Sequence, residues 1–419
     1  MFVASGILNN VNQSKLLAFL KDKGCEYNRD EFGMDINIWL GNIIDENRIT
    51  LEQINMFLFN ELFYGMHRDI NIYKIKGVKR LQNVELWIDN LFIQYKILDL
   101  PYNQIVQTNV NPAEANKIAA ISYSENEQGD IEKIQILFIR NIKVLTSQGT
   151  TDSYAYIPVE VDMQQRIMIV KGRPRTHVIP GYRTYELQES IFNDISRVIG
   201  IEIINFGVKH EEALYRMSKG ILEELLEHIE GYNDLSKVER HIDELITGII
   251  ENVTLKNVEV IEGKKQINCG GIDIKDELFK MLQSLTISDY LFNKDEDNIW
   301  DTGISTIITC IRFNDSKNAT ARLSSENRRK HIFNSKAFMD LRNSLEIVKN
   351  VQSLSIVSKK SRGALKVKYT ADNEEYLKIL ILTYPYYVEE DFRIIWEMYD
   401  RYERGDIEKA ATVCTTEVG

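Results

Sequence analysis

The segment Tyr154-Ala-Tyr-Ile-Pro-Val-Glu-Val-Asp-Met-Gln-Gln-Arg-Ile-Met-Ile-Val170 reads as two strands of one antiparallel sheet, and the class of the whole chain follows from it. Ala155, Ile157, Val159, Val161 and Met163 alternate with Tyr154, Tyr156, Glu160 and Asp162, a period of two that puts one apolar and one polar side on a strand. After Gln164-Gln165, the unbroken apolar run Ile167–Val170 predicts a buried strand. Pro158 has no N–H to give a ladder, so it predicts an edge position or a bulge. Upstream, Ile118–Tyr123 and Ile131–Ile139 are two further β-rich runs joined by a hairpin-length connection over 125–130. Together these give an antiparallel sheet of about four strands with one wet face.

Outward from that sheet the period changes to 3.6. Before Asn111-Pro112 the chain reads as helical: Leu16, Leu17, Phe19 and Leu20 stripe one helix, Thr50 and Gln53 form a capping box for a second, and Trp87, Ile88, Leu91 and Tyr95 stripe a third. After Tyr185 come a helix bearing Leu187, Ile191, Ile195 and Ile199, then two amphipathic helices near 210–230 and 235–251 separated by Gly231. The last third alternates again, with a strand over Ile304–Phe313, a helix capped by Ser335, and a hairpin of Leu354–Val357 and Leu365–Tyr369. The expected fold class is α+β. The expected domains are a helical one over 1–112, an antiparallel sheet plus helical hairpin over 113–253, and a basic, winged-helix-like α+β domain over 254–419.

Composition sets the class of molecule. In 419 residues, 44% are hydrophobic and 27% charged, the balance of a folded chain with room for more than one core. No apolar run approaches the roughly 20 residues that span a bilayer, and the N-terminus has no basic leader with an apolar core, so neither membrane nor secretion is expected. Cys25, Cys269, Cys310 and Cys414 are far apart and form no C-x-x-C pair, which speaks against a zinc ribbon or a disulfide scaffold and for a reducing cytoplasm. Richness in Ile, Asn, Lys and Glu points to an AT-rich genome, such as a low-GC bacterium or its phage. A motif-poor chain of this kind suits a phage, plasmid or antiviral-defence component.

Charge is unevenly placed. The whole chain carries −11, yet residues 312–368 hold 14 Lys and Arg against 4 acids, a net +10 that leaves −21 on the remainder. A basic island in an acidic chain is the electrostatic footprint of a phosphate-binding face. Within it, the helix after Ser335 and the hairpin with tip Ser358-Lys-Lys-Ser-Arg-Gly363 resemble in pattern a winged helix-turn-helix, where one helix enters a groove and a basic hairpin meets adjacent phosphates. The candidate contacts are Arg328, Arg329, Lys330, Lys336, Arg342, Lys359, Lys360, Arg362, Lys366 and Lys368. Lys366 and Lys368 alternate with Leu365 and Val367, so both leave one side of a strand. A second acid-free stretch, Met163–Tyr185, adds Arg166, Lys171, Arg173 and Arg175, and its Gly-Pro loop suits a phosphate grip without base readout. One continuous surface is expected to hold both stretches.

Catalytic signals are weaker. Val258-Glu-Val-Ile-Glu-Gly-Lys264 resembles the second half of the restriction-endonuclease-like motif. That resemblance implies an acid, Glu262, on Mg²⁺ and Lys264 beside the attacking water. Asp243 or Glu251 fits the companion acid by spacing, but Asp243 reads as helical. The six histidines are dispersed and no P-loop, dinucleotide or G-x-S-x-G pattern occurs, so no cofactor, metal site or catalytic residue is expected. The sequence therefore points to a non-catalytic cytoplasmic binder of nucleic acid, duplex DNA before RNA, whose Glu-rich helical surfaces are left for a protein partner. A Mg²⁺-dependent nuclease using Glu262 and Lys264 and a protein–protein adaptor are the alternatives.

Overall fold

The computed structural model describes residues 5–27, 35–110, 116–253, 258–261, 264–269, 272–291, 300, 303–314, 320–326, 330–333, 335–360, 363–383 and 386–405. The class is α+β, with antiparallel sheet and a helical N-terminal region ahead of it. Helices α1 (Gln13–Asp22), α2 (Ile36–Asp45) and α3 (Leu51–Phe63) each start on a side-chain cap. Asn12 accepts from two N–H groups, Asp35 from Asn37, and Thr50 with Gln53 closes the expected capping box, satisfying amides that the helix itself cannot. Then follow β1 (Asp69–Ile75), α4 (Val84–Tyr95), β2 (Tyr102–Asn103), β3 (Lys117–Glu125), β4 (Ile131–Thr146), β5 (Gly149–Asp162), β6 (Ile167–Gly172), α5 (Thr184–Ile199) and β7 (Ile203–Ile204). Beyond them lie α6 (Lys209–Glu227), α7 (Glu239–Asn252), β8 (Val258–Ile261), β9 (Lys264–Cys269), β10 (Ile272–Asp273), α8 (Ile274–Leu291), β11 (Thr306–Asn314), β12 (Thr320–Ser324), α9 (Lys336–Val348), β13 (Ser353–Lys359), β14 (Ala364–Thr370), β15 (Tyr376–Ile381) and α10 (Glu389–Arg404).

The chain divides into two compact units where the sequence suggested three. One is Met1–Gly207 with Asp372–Ile395, the other Val208–Ala371 with Trp396–Gly419. The 1–112 segment is not a domain of its own, because β1 lies inside it and is paired on both sides within the first unit's sheet, by β15 and β6. That sheet runs β15-β1-β6-β5-β4-β3-β2, with β7 also on β1. Its apolar face, including Val159, Val161, Met168 and Val170, packs against Trp87 and Leu91 of α4 and Leu187, Ile191 and Ile195 of α5.

One expectation for this sheet is corrected and another holds. The face read as wet is covered: Tyr156, Glu160 and Asp162 are all buried, and α3 packs on β5. Pro158 has the edge position that its missing N–H predicts: it pairs with Leu137 of β4 on one side, while the ladder to β6 starts only at Val159. It sits one residue beyond the end of the β5–β6 ladder, which runs from Val159 to Asp162, so its missing N–H breaks no bond there.

In the second unit the order is β12-β11-β13-β14, with β8, β9 and β10 forming a separate small sheet. Helix α6 buries Leu214, Met217, Ile221, Leu222 and Leu225 along one stripe. The expected pairing of α6 with α7 as a hairpin is replaced by another: Ile242 and Ile246 of α7 pack with Ile274, Leu278 and Leu282 of α8.

Candidate nucleic-acid interface

Register places the strand cations of the second unit on one side of their sheet. Directly paired residues share a face, and the face alternates along each strand. Leu354 and Ile356 of β13 oppose Tyr369 and Val367 of β14, and all four are buried. Ser353, Ser355 and Val357 oppose Thr370, Lys368 and Lys366 on the other face. Across β13, Arg312 of β11 opposes Ser353 and Cys310 opposes Ser355; one strand further, Arg322 of β12 opposes Arg312. Lys359 ends β13 on the same side, and its Nζ donates to the Trp300 carbonyl at 3.0 Å. The strands β11–β14 contain no Asp or Glu, so all five of their cations share a face without an acid from the strands themselves. Helices α6 and α9 lie on the opposite side, where Leu222, Phe338 and Leu345 meet Ile308 and Ile311 around one small cleft.

That placement separates the sequence candidates. Lys359, Lys366 and Lys368 belong to the cationic face. Arg312 and Arg322, counted in the basic island but not singled out, belong there too; their signal was alternation in Ile-Arg-Phe and Ala-Arg-Leu. Arg342 does not. Its side chain is 12% exposed, and its Nε meets Glu346 Oε1 at 3.1 Å while Lys280 Nζ meets the other oxygen at 2.6 Å. Glu346 holds it against the helical side, so it does not project as a recognition-helix contact. Nor is the β13–β14 hairpin a free wing, because β13 pairs with β11 along its other edge. Lys336 opens α9, Lys330 is exposed ahead of it, and Lys360 stands half-buried at the β13–β14 turn, its N–H donating to Gly363. Arg328, Arg329 and Arg362 lie outside the described residues.

The second basic stretch belongs to the first unit and is less exposed than its composition implies. Arg166 is exposed in the β5–β6 turn with φ 56°. Lys171 is 0% exposed, which corrects its reading as a loop cation. Its Nζ lies 3.9 Å from the ring centre of Tyr64, 4.4 Å from Phe63 and 5.0 Å from Phe392, with no hydrogen-bond acceptor among the described residues. Burial pushes the ammonium down to about 8, against the pull of Glu160 and Glu389. Three ring faces favour the charged form, which is how a buried lysine is tolerated here. Glu160, 4% exposed, takes a hydrogen bond from Gln135 at 2.8 Å and an ion pair from Lys133 at 3.6 Å.

Arg173 and Arg175 are half-buried. Arg173 donates to the Asn9 carbonyl; Arg175 donates to Asn10 Oδ1 and, at 2.8 Å, to the Tyr154 carbonyl. Burial and the neighbouring Arg173 charge bring Arg175 down to about 10, and burial followed by Arg68 lowers Arg173. The same two arginines add to burial in pushing His67 down to about 3, so that imidazole is neutral. Gly172 permits this layout: a Cβ there would lie 2.4 Å from Thr184 Cγ2, so only glycine lets the end of β6 run so close to the first turn of α5. Between the loop that follows β6 and the start of α5 is a cavity of about 380 Å³ lined by Asp69, Arg175, Val178, Arg183, Tyr185 and Lys378 among others.

For the nuclease string, Glu262 lies outside the described residues and Lys264 begins β9. Asp243 is on helix α7, as its sequence suggested, and pairs with Lys275 at 2.8 Å. Among the described residues no three His, Cys, Asp or Glu side chains gather closely enough to hold a metal ion, and no helix is long and apolar enough to cross a membrane. No family model matches the chain, and no curated protein matches it in sequence.

Proposed function

We propose that this protein binds nucleic acid, duplex DNA in preference to RNA, through phosphate contacts on the cationic face of β11–β14. The observation that carries the reading is Arg312 directly opposite Arg322, with Lys366 and Lys368 on the same face. Cations gathered on one face raise the local positive potential, and a polyanion laid across it gains charge-assisted hydrogen bonds. Lys and Arg rising above the buried Ser353, Ser355 and Val357 meet a phosphate backbone without the fixed bidentate geometry that base readout needs, so binding is mostly independent of sequence. The acidic remainder of the chain, −21 in formal charge, confines the polyanion to this face and suits its Glu-rich helices to a protein partner. A cytoplasmic setting in a phage, plasmid or antiviral-defence system agrees with the composition. Fluorescence anisotropy of a labelled duplex at rising salt tests the reading: affinity falls steeply if phosphates are the ligand. A chain that ignores duplex DNA and RNA alike at low salt is an adaptor, and one that cleaves them with Mg²⁺ is a nuclease.

A further inference from the structure

We propose that the cavity between the loop that follows β6 and the first turn of α5 is a binding site for a small nucleotide, with Arg175 and Arg183 on its phosphate and Tyr185 against its base. The inference does not depend on the cationic face of β11–β14. It starts from an imbalance of charge. Arg173 and Arg175 are adjacent and half-buried, and among the described residues they hold only neutral acceptors: two backbone carbonyls and the side-chain oxygen of Asn10. Desolvating two guanidiniums side by side is costly unless an anion compensates them. No carboxylate of the described residues does so. Asp69, the acid in the cavity wall, is committed to Lys378 at 3.0 Å. Glu186 turns away to cap the helix, accepting from the Gly181 and Arg183 N–H groups at 2.9 and 2.7 Å.

Of these two arginines, Arg175 lines the cavity and Arg173 does not. Arg183, at the start of α5, lines it as well, so two guanidinium-bearing side chains share its wall. Its volume of about 380 Å³ exceeds the need of a bare phosphate and falls at the lower end of small-molecule sites, about 300–1,000 Å³. The wall is not wholly polar. Val178 faces it, and Tyr185, 48% exposed, offers a ring on which a base can stack. A phosphate group joined to a flat aromatic group matches both halves of the lining, which a sugar phosphate or an inorganic anion does not.

Isothermal titration of the full-length chain with AMP, inorganic phosphate and adenosine tests this. AMP is expected to bind at one equivalent, with phosphate and adenosine each at least about tenfold weaker, since each keeps one half of the contacts. Arg183 and Tyr185 are exposed and their replacement leaves the core intact. Arg183→Ala is expected to weaken AMP and phosphate about tenfold. Tyr185→Ala is expected to weaken AMP by about fivefold or more and to leave phosphate unchanged. Equal affinity for AMP and phosphate would overturn the nucleotide assignment. Absence of AMP binding at about 1 mM, or binding indifferent to Arg183→Ala, would overturn the site.

Discussion

Arg312 and Arg322 stand directly opposite each other on neighbouring antiparallel strands, β11 and β12. Directly opposed like charges destabilise a sheet, whereas opposed unlike charges stabilise it by about 0.2–1 kcal/mol. The pair therefore separates stability from function. Arg322→Glu is expected to raise thermal stability slightly and to lower affinity for duplex DNA by about tenfold or more, since one phosphate contact becomes a repulsion. Thermal melts and anisotropy on the same preparation check both signs. A variant that loses stability and keeps its affinity contradicts the role given to the face.

Arg342 supplies the converse. It is held by Glu346 on the helical side of the sheet, away from the strand cations. Arg342→Ala is expected to cost about 1–2 kcal/mol, between the values for exposed and buried pairs. Its effect on nucleic-acid affinity is expected to be less than twofold, against the tenfold loss of Arg322→Glu. Denaturant titration and the binding isotherm give the two numbers.

Lys171 makes a pH-dependent contribution whose sign follows from burial. Its folded value, about 8, lies below the unfolded 10.5. Below about pH 8 both states hold the proton and the folded state bears the full cost of the buried charge. Between about 8 and 10.5 the unfolded chain holds more protons, so this group's contribution to stability rises with pH. Lys171→Met removes the cost and keeps the volume against Phe63, Tyr64 and Phe392. It is expected to stabilise the protein at pH 7 by about 1–3 kcal/mol, less whatever the three rings return. The advantage of the variant is expected to shrink as pH rises from 8 toward 10. The buried tyrosines, Tyr64 and Tyr156 among them, are raised by burial and oppose the trend above pH 10 in both proteins. Denaturant melts of the two proteins at pH 7, 8, 9 and 10 isolate the lysine; an advantage that does not change across that range contradicts the buried-ammonium account.

Local signals carried the class of the fold. Thr50 with Gln53 is a cap in sequence and in space, because its hydrogen bonds span three residues. The alternation through Ile118–Val170 gave β3 to β6 for the same reason. Strand β1 has its own alternation at Ile70 and Ile72, but it lies among helices, and its partners β6 and β15 come from far along the chain. Missing it made the first 112 residues look like a separate helical domain. Burial is still less local. Nothing in Val170-Lys171-Gly172 announces that Phe63, Tyr64 and Phe392 will enclose the ammonium. Likewise the shared side of Lys366 and Lys368 could be read from one strand, whereas the opposition of Arg312 and Arg322 depends on the register between two.

The most direct test of the central claim is the slope of log K against log salt for a duplex oligonucleotide, measured for the native chain and for the combined Arg322→Ala, Lys366→Ala and Lys368→Ala variant. Each phosphate contact contributes about 0.9 to the slope on B-form DNA. A native slope near −4.5 to −7, reduced in magnitude by about 2.7 in the variant, is the expected result for about five to eight contacts of which three are removed. Parallel lines for the two proteins, or a flat line for the native chain, would contradict it.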